Sequence, residues 1–501
     1  MTEYYNPLIS GFHPDPSVVR VGDDYYIATS TFEYVPGIPI FHSRDFETWT
    51  RIGHVATTAE QLGVSDVQTA GGAWAPTIRH RDGVFHVIIT VAMGRGMLHF
   101  TATDPAGPWS AGDVILNAAG TASVDGIDPD LAWDDEGTAY VTYSALVLTG
   151  EDVGQHRGIE QVRVDLDTHR ALEEPRSLWS GTGLKFPEAP HLYEHGGYWY
   201  LVIAEGGTER GHGMSVARSD SPAGPFVGGP GNPVVSARST SRPIQNTGHG
   251  DLVEGPDGWL AVLLGVRPTS MTQAFSALGR ETFVTPVRWV DGWLEIDPVE
   301  LNPRRGTAVF SDDFDEPEFG LDWIGVRRRP DETGSLTERP GSLVLHADGS
   351  TLDDSRPVFV GLRQEHLRAA VTATFDVSAG VGGLGVRYDE RFHYEIEAGR
   401  GRIVARASVG GIRQEWTRPF SGASVTLHLD VRPDETPGIG GTSDTVVLGA
   451  TIDGERIDLA EVDGRFLSSE TTESFVGRVI GVYAVDGTVA VDRVAYEGSE
   501  D

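Results

Sequence analysis

Short aromatic-rich apolar runs, each opened by Gly or Asp, recur along the N-terminal part of the chain. They are Asp24-Tyr25-Tyr26-Ile27-Ala28, Gly83-Val84-Phe85-His86-Val87, Gly137-Thr138-Ala139-Tyr140-Val141, Gly197-Tyr198-Trp199-Tyr200-Leu201 and Gly258-Trp259-Leu260-Ala261-Val262. Their spacing is about 55–60 residues, the kind of period that marks a repeat architecture. Between them, apolar segments are short, alternate or run for about 4–8 residues, and end in Gly, Pro, Asp or Asn, a strand pattern with almost no helical periodicity. A second segment precedes each run: Pro14-Asp15-Pro16-Ser17, Trp74-Ala75-Pro76-Thr77, Asp128-Pro129-Asp130-Leu131, Pro187-Glu188-Ala189-Pro190 and Gly248-His249-Gly250-Asp251. A strand-built repeat of this length predicts an all-β, five-bladed β-propeller over residues 1–305. Equivalent strands of successive blades line one channel. Asp15, Asp128 and Glu188 are therefore expected to converge on its axis, with Trp74 and His249 from the other two blades.

The pattern changes after a linker-like stretch, Leu301-Asn302-Pro303-Arg304-Arg305-Gly306. Alternating strands such as Ala370-Val371-Thr372-Ala373-Thr374-Phe375 and Val425-Thr426-Leu427-His428-Leu429-Asp430 follow at turn-punctuated intervals, which predicts a β-sandwich over 306–501. Residues 434–443, rich in Gly, Pro and Thr, read as an exposed loop. The acidic cluster Asp312-Asp313-Phe314-Asp315 reads as a solvated strand end or a calcium loop.

With 501 residues, two domains are the prior. There is no cysteine, which removes disulfides, thiolate metal sites and cysteine nucleophiles. The formal net charge of −34 argues against nucleic acid or an anionic membrane as partner and suits a neutral ligand. No apolar run is long enough to span a bilayer, and the first residues lack the basic start and apolar stretch of a signal peptide, so a cytoplasmic protein is expected. Lysine occurs once, at Lys185, a usage that fits a GC-rich genome.

Three acids crowded together cannot be equivalent: like charges raise at least one pKa and a neighbouring arginine lowers another. That split is what a general acid and a general base require. Hydrolysis of a glycosidic bond is a reaction whose needs two flanking carboxylates meet.

Several motifs carry a resemblance. The stretches 6–17 (Asn6 to Ser17), 29–37 (Thr29 to Gly37), 126–131 (Gly126 to Leu131), 187–193 (Pro187 to Tyr193) and Gly279-Arg280-Glu281 resemble glycoside hydrolase family 43 in order and place. The similarity covers essentially the whole chain, including a C-terminal concanavalin-like sandwich found in β-xylosidase and arabinofuranosidase members. It implies single-displacement hydrolysis with inversion, with Asp15 as general base, Glu188 as general acid and Asp128 as the carboxylate that modulates the acid. It further implies Arg280 on the sugar, Phe32 and Trp74 as pocket walls, and Phe475 on a loop by which the sandwich reaches over the pocket. His249 matches a histidine that in some members helps hold a calcium ion or its water shell; no other cofactor is implied. The family segment after Trp-Ala-Pro often carries Asp, where this chain has Thr77.

Each position also has a plainer reading. Pro-Asp-Pro-Ser is a common turn, Asp128 stands among acids that suit a solvated loop, His249 suits a hydrogen-bonded core residue, and Phe32 and Trp74 suit ordinary packing. Glu188 is different: its apolar, proline-flanked setting makes a buried carboxylate costly without a role. The expectation is an exo-acting glycosidase that removes terminal β-D-xylosyl or α-L-arabinofuranosyl units from short oligosaccharides, the sandwich accounting for exo action if it closes one end of the pocket. Similar enzymes are often dimers or tetramers, so a homo-oligomer is one expectation. The alternatives are an enzyme that is mainly an α-L-arabinofuranosidase, a catalytically silent sugar-binding propeller, and a retaining fructosidase, whose Asn-Asp-Pro-Asn type motif is not seen near the N-terminus.

Overall fold

The computed structural model of the protein describes residues 4–148, 150–434 and 441–500. Most of the stretch 434–443 and the first three residues lie outside them. The chain forms two compact units. One comprises Met1–Ile9, His13–Val266 and Glu281–Asn302; the other comprises Ser10–Phe12, Arg267–Arg280 and Pro303–Asp501.

The first unit contains five antiparallel sheets, one per repeat. Each begins with an inner strand: Ser17–Val21, Gly72–Arg81, Ile127–Trp133, Glu188–His195 and Gln245–Gly255 in blades 1 to 5. Each inner strand packs on that of the next blade, and the fifth packs on the first, so the ring is closed. The aromatic runs are the second strands. The Gly that opens them has a structural reason: Asp82-Gly83 and Gly196-Gly197 are two-residue hairpin turns with both φ values positive, the geometry that matches strand twist and calls for glycine.

Closure uses the start of the chain. Leu8 N donates to Thr282 O at 2.8 Å, and the Asn6 side chain acts as a short strand. Its Nδ2 donates to Val284 O at 2.7 Å while its Oδ1 accepts from Val284 N at 2.9 Å. Residues that begin blade 1 are thereby fixed to the third strand of blade 5, Glu281–Val290.

The second unit is built around two long strands, Arg368–Arg387 and Val479–Ser499, paired antiparallel along their length. Their register shifts between Thr374 and Gly382, where both bend. Before the bend Arg368–Arg387 pairs with Ser424–Pro433, and after it with Phe392–Gly399. One pair of strands thus serves both layers of a β-sandwich. In the cluster at 312–315, Asp312 accepts from Phe314 N at 2.8 Å and from Trp323 Nε1 at 2.8 Å, which makes it a turn cap. Among the described residues, no helix is long and apolar enough to cross a membrane.

Candidate active site

The inner strands share one local device. In each, or in blade 1 two residues before it, a non-glycine residue turns left-handed: Asp15 (φ 55°), Ala75 (45°), Asp128 (52°), Ala189 (51°) and His249 (46°). The following residue is Pro16, Pro76, Pro129, Pro190 or Gly250. Proline has no N–H for the ladder, and in blades 2 to 5 the pairing skips at this point, so the strand kinks and re-aims its side chains. Such φ values cost roughly 1–2 kcal/mol each outside glycine and cluster where function holds them.

The kinks fix the register between blades. Asp15 and Asp128 are equivalent, and Ala75, Ala189 and His249 share their position. Glu188 stands one residue earlier, level with Trp74. Of the five residues expected on the axis, Asp15, Asp128 and His249 stand at the kink itself, and Trp74 and Glu188 stand one residue before it.

Asp15 is 5% exposed. Ser30 Oγ donates to its Oδ2 at 2.6 Å. The direction is certain, since Ser30 Oγ already accepts from Ala75 N at 2.6 Å and has one proton to give. His249 Nδ1 stands 3.5 Å from Asp15 Oδ1. Blades 1, 2 and 5 thus meet at this carboxylate. Asp128, also buried, accepts from Ala189 N at 3.1 Å, the amide directly after Glu188. Blades 3 and 4 meet there, and the third acid holds the peptide of the second. Glu188 is half-buried.

Phe32 is buried, and its backbone pairs with Ala73 through bonds of 3.0 and 3.1 Å, tying blade 1 to blade 2. Trp74 is half-buried and donates from Nε1 to Ala70 O at 2.8 Å. Arg280 and Phe475 belong to the second unit. The guanidinium of Arg280 lies 5.3 Å from the centroid of the Phe475 ring, and Nη2 donates to Phe475 O at 3.4 Å.

A feature missed in the sequence lies two residues beyond each kink. Arg79 donates to Asp130 at 2.6 Å, to Asp251 at 2.7 Å and to Ser17 Oγ at 3.3 Å, and its Nη2 is 3.0 Å from His191 Nδ1. Ser17 also donates to Asp251 at 2.7 Å, and Tyr193 donates to the other Asp251 oxygen. All five blades are joined at one guanidinium. Burial, the largest single effect, pushes the Asp251 carboxyl up, but the charges of Arg79 and His191 and the hydrogen bonds from Arg79 and Tyr193 together outweigh it and hold Asp251 well below the usual carboxylate range. The same burial works against Arg79, and Asp251 and Asp130 keep it charged. The signal available in the sequence was the row Ser17, Thr77, Asp130, His191 and Asp251, polar at one register in every blade.

The resemblance offers His249 as a histidine that in some members helps hold a calcium ion or its water shell. Calcium takes six to eight oxygen ligands. The pair of His249 with Asp15 offers one nitrogen and one carboxylate, and among the described residues no three His, Asp or Glu side chains come together to hold a metal. These residues do not fit a direct calcium site.

Carboxylates held on kinked inner strands of a five-bladed propeller, in a chain that also carries a sandwich unit, suit hydrolysis of a glycosidic bond. Residues 4–294 match Glycosyl hydrolases family 43, and residues 311–496 match the Beta xylosidase C-terminal Concanavalin A-like domain. The chain belongs to glycoside hydrolase family 43 and hydrolyses glycosidic bonds, a reaction that family carries out with inversion and generally without a cofactor. Among its relatives is a non-reducing end alpha-L-arabinofuranosidase of Bacteroides ovatus, 36% identical, with 96% of this chain and 91% of that protein aligned. A xylosidase/arabinosidase of Butyrivibrio fibrisolvens is 31% identical over 96% of this chain and 95% of its own length. The crystal structure of a xylan beta-1,4-xylosidase from Bacillus halodurans superposes with a TM-score of 0.88 at 29% identity, covering 99% of this chain and 100% of that one.

Proposed function

We propose that the protein releases single terminal β-D-xylosyl or α-L-arabinofuranosyl units from the non-reducing ends of short oligosaccharides, with Asp15, Glu188 and Asp128 as its catalytic carboxylates. The observation that carries the reading is the kink register: each of these acids stands at or beside a strained left-handed residue of an inner strand, and each has a different environment.

Asp15, fixed by the Ser30 hydroxyl, is the base. Its carboxylate takes a proton from a water molecule, and the water oxygen attacks the anomeric carbon on the face opposite the leaving group. Glu188 is the acid. Its carboxyl proton passes to the glycosidic oxygen as the carbon–oxygen bond breaks, so the sugar leaves with inverted configuration and the remaining chain leaves as an alcohol. Solvent then removes the proton from Asp15 and returns one to Glu188. Asp128 acts through position and charge: it holds the Glu188–Ala189 amide, and its negative charge favours the protonated form of a nearby acid. Phe32 and Trp74 wall the released sugar in this reading.

Xylosidase and arabinofuranosidase relatives stand at similar identity, so both sugars enter the test. Initial rates on aryl β-D-xylopyranoside and aryl α-L-arabinofuranoside, with Asp15→Asn as control, rank them. Turnover that persists in Asp15→Asn overturns the base, and no turnover of either glycoside overturns the substrate class.

A further inference from the structure

The segment leading into Glu188 carries an exposed aromatic ring held in an unusually firm setting. Phe186 is 39% exposed and left-handed at φ 50°. For a bulky side chain that backbone is unfavourable and persists only where its surroundings enforce it. They do so on both sides. Gly206 N donates to Lys185 O at 2.7 Å before it, and Ser144 Oγ donates to Pro187 O at 3.1 Å after it.

The second clamp is fully determined in its protons. Gly158 N donates to His156 Nδ1 at 3.0 Å, so the ring proton sits on Nε2. Nε2 donates to Ser144 Oγ at 2.8 Å, and the serine proton is then directed to Pro187 O. Burial, with the charge of Arg157, holds the His156 pKa below its ordinary value, in keeping with the neutral ring this relay requires. The His156 ring also meets Phe186 edge-on at 6.4 Å between centroids. Lys185, the single lysine of the chain, places Nζ 5.4 Å from the Phe186 centroid and is itself paired with Glu209.

We propose that Phe186 is the platform on which the leaving-group sugar stacks, the ring beyond the bond that is cut. The proposal rests on Glu188 being the general acid. Such an acid must come within about 2.6–3.2 Å of the leaving oxygen, so the ring attached to that oxygen lies beside Glu188. Two residues of chain span at most about 7 Å, so the Phe186 backbone stays within that reach of the Glu188 backbone. A rigid aromatic with solvent-open surface receives the C–H face of a neutral pentose at little entropic cost. The ligand class is therefore a pyranose or furanose aglycone, and the residue acts on leaving-group preference rather than on the released sugar.

The test compares two substrates of whichever pentose turns over faster: its disaccharide, and its glycosyl fluoride, whose leaving group has no ring. Phe186→Ala should lower kcat/KM for the disaccharide about tenfold, near the upper end of aromatic stacking energies, and leave the fluoride within about twofold. Phe186→Trp should preserve the disaccharide rate. Should Phe186→Ala fold poorly by thermal melting, Phe186→Leu keeps the bulk without the π face and should give the same split. An equal fall on both substrates, or an unchanged disaccharide rate, overturns the proposal. Failure of the acid assignment would look different: Glu188→Gln would then lose as much on the fluoride, which needs little protonation, as on the disaccharide.

Discussion

Replacing Arg79 by Met should be among the most damaging single changes to the propeller. The guanidinium holds Asp130 at 2.6 Å and Asp251 at 2.7 Å, and both carboxylates are wholly buried. Methionine fills much of the arginine stem but removes the guanidinium that the two carboxylates share, with the His191 ring left 3.2 Å from Asp130. Breaking a buried pair from one side costs about 3–5 kcal/mol. In a unit of this size that corresponds to a fall in Tm of roughly 5–15 °C. Differential scanning calorimetry at pH 7.5 and pH 5 separates this cause from a packing defect. In the wild type, Asp251 is depressed below its unfolded value; its stabilisation is present above the ordinary carboxylate pKa near about 4 and is lost only as pH falls through the lower folded value. Wild-type Asp251 therefore contributes no change between pH 7.5 and 5. In the variant, burial pushes the Asp251 carboxyl up without the opposing charge of Arg79, so the native state takes up a proton before the unfolded state does, and the variant gains stability as pH falls. The gap between the two proteins should narrow at pH 5, and Arg79→Met with Asp251→Asn should recover part of it at pH 7.5. A loss below about 1 kcal/mol, or a gap that does not change with pH, would refute the charge argument.

Asp15→Asn and Glu188→Gln should each nearly abolish turnover with melting unchanged, and Glu188→Gln should lose less than Asp15→Asn on an aryl glycoside with a good leaving group. Equal losses on good and poor leaving groups would remove Glu188 from the acid role. Ser30→Ala deletes a charge-assisted bond of 2.6 Å and should lower kcat about 10–100-fold, from roughly 1.5–3 kcal/mol for a hydrogen bond to a charged group; in the Asp15→Asn background the same change should add almost nothing. Asn6→Ala removes both bonds to Val284 and should destabilise the propeller by about 1–3 kcal/mol, measured by urea denaturation.

The blades were legible because their hairpins need glycine at fixed points and their second strands need aromatics, so the sequence repeats what the backbone repeats. The family motifs also pointed to the three acids. What the sequence hid was register. Asp128 and Asp130 flank one proline and look interchangeable, yet Asp128 holds the peptide after Glu188 while Asp130 belongs to the central guanidinium. Arg79 itself gave no local signal, since one arginine near a strand end reads as a surface residue; only its partners on four other strands, up to 172 positions away in sequence, give it meaning. The relay through His156 and Ser144 was hidden for a related reason, since its last partner, Pro187, stands 43 positions beyond Ser144.

The repeated kink gives the ring five equivalent sockets, each presenting one side chain from the same backbone position. Three are filled by groups that titrate, Asp15, Asp128 and His249, and two, Ala75 and Ala189, are blanks. Because the backbone already bears the strain in every blade, changing an occupant alters chemistry without asking for a new conformation. Divergence among such enzymes can therefore proceed by exchanging single residues in a standing frame, and a redesign aimed at a different sugar or a different proton balance has two vacant positions at which to begin.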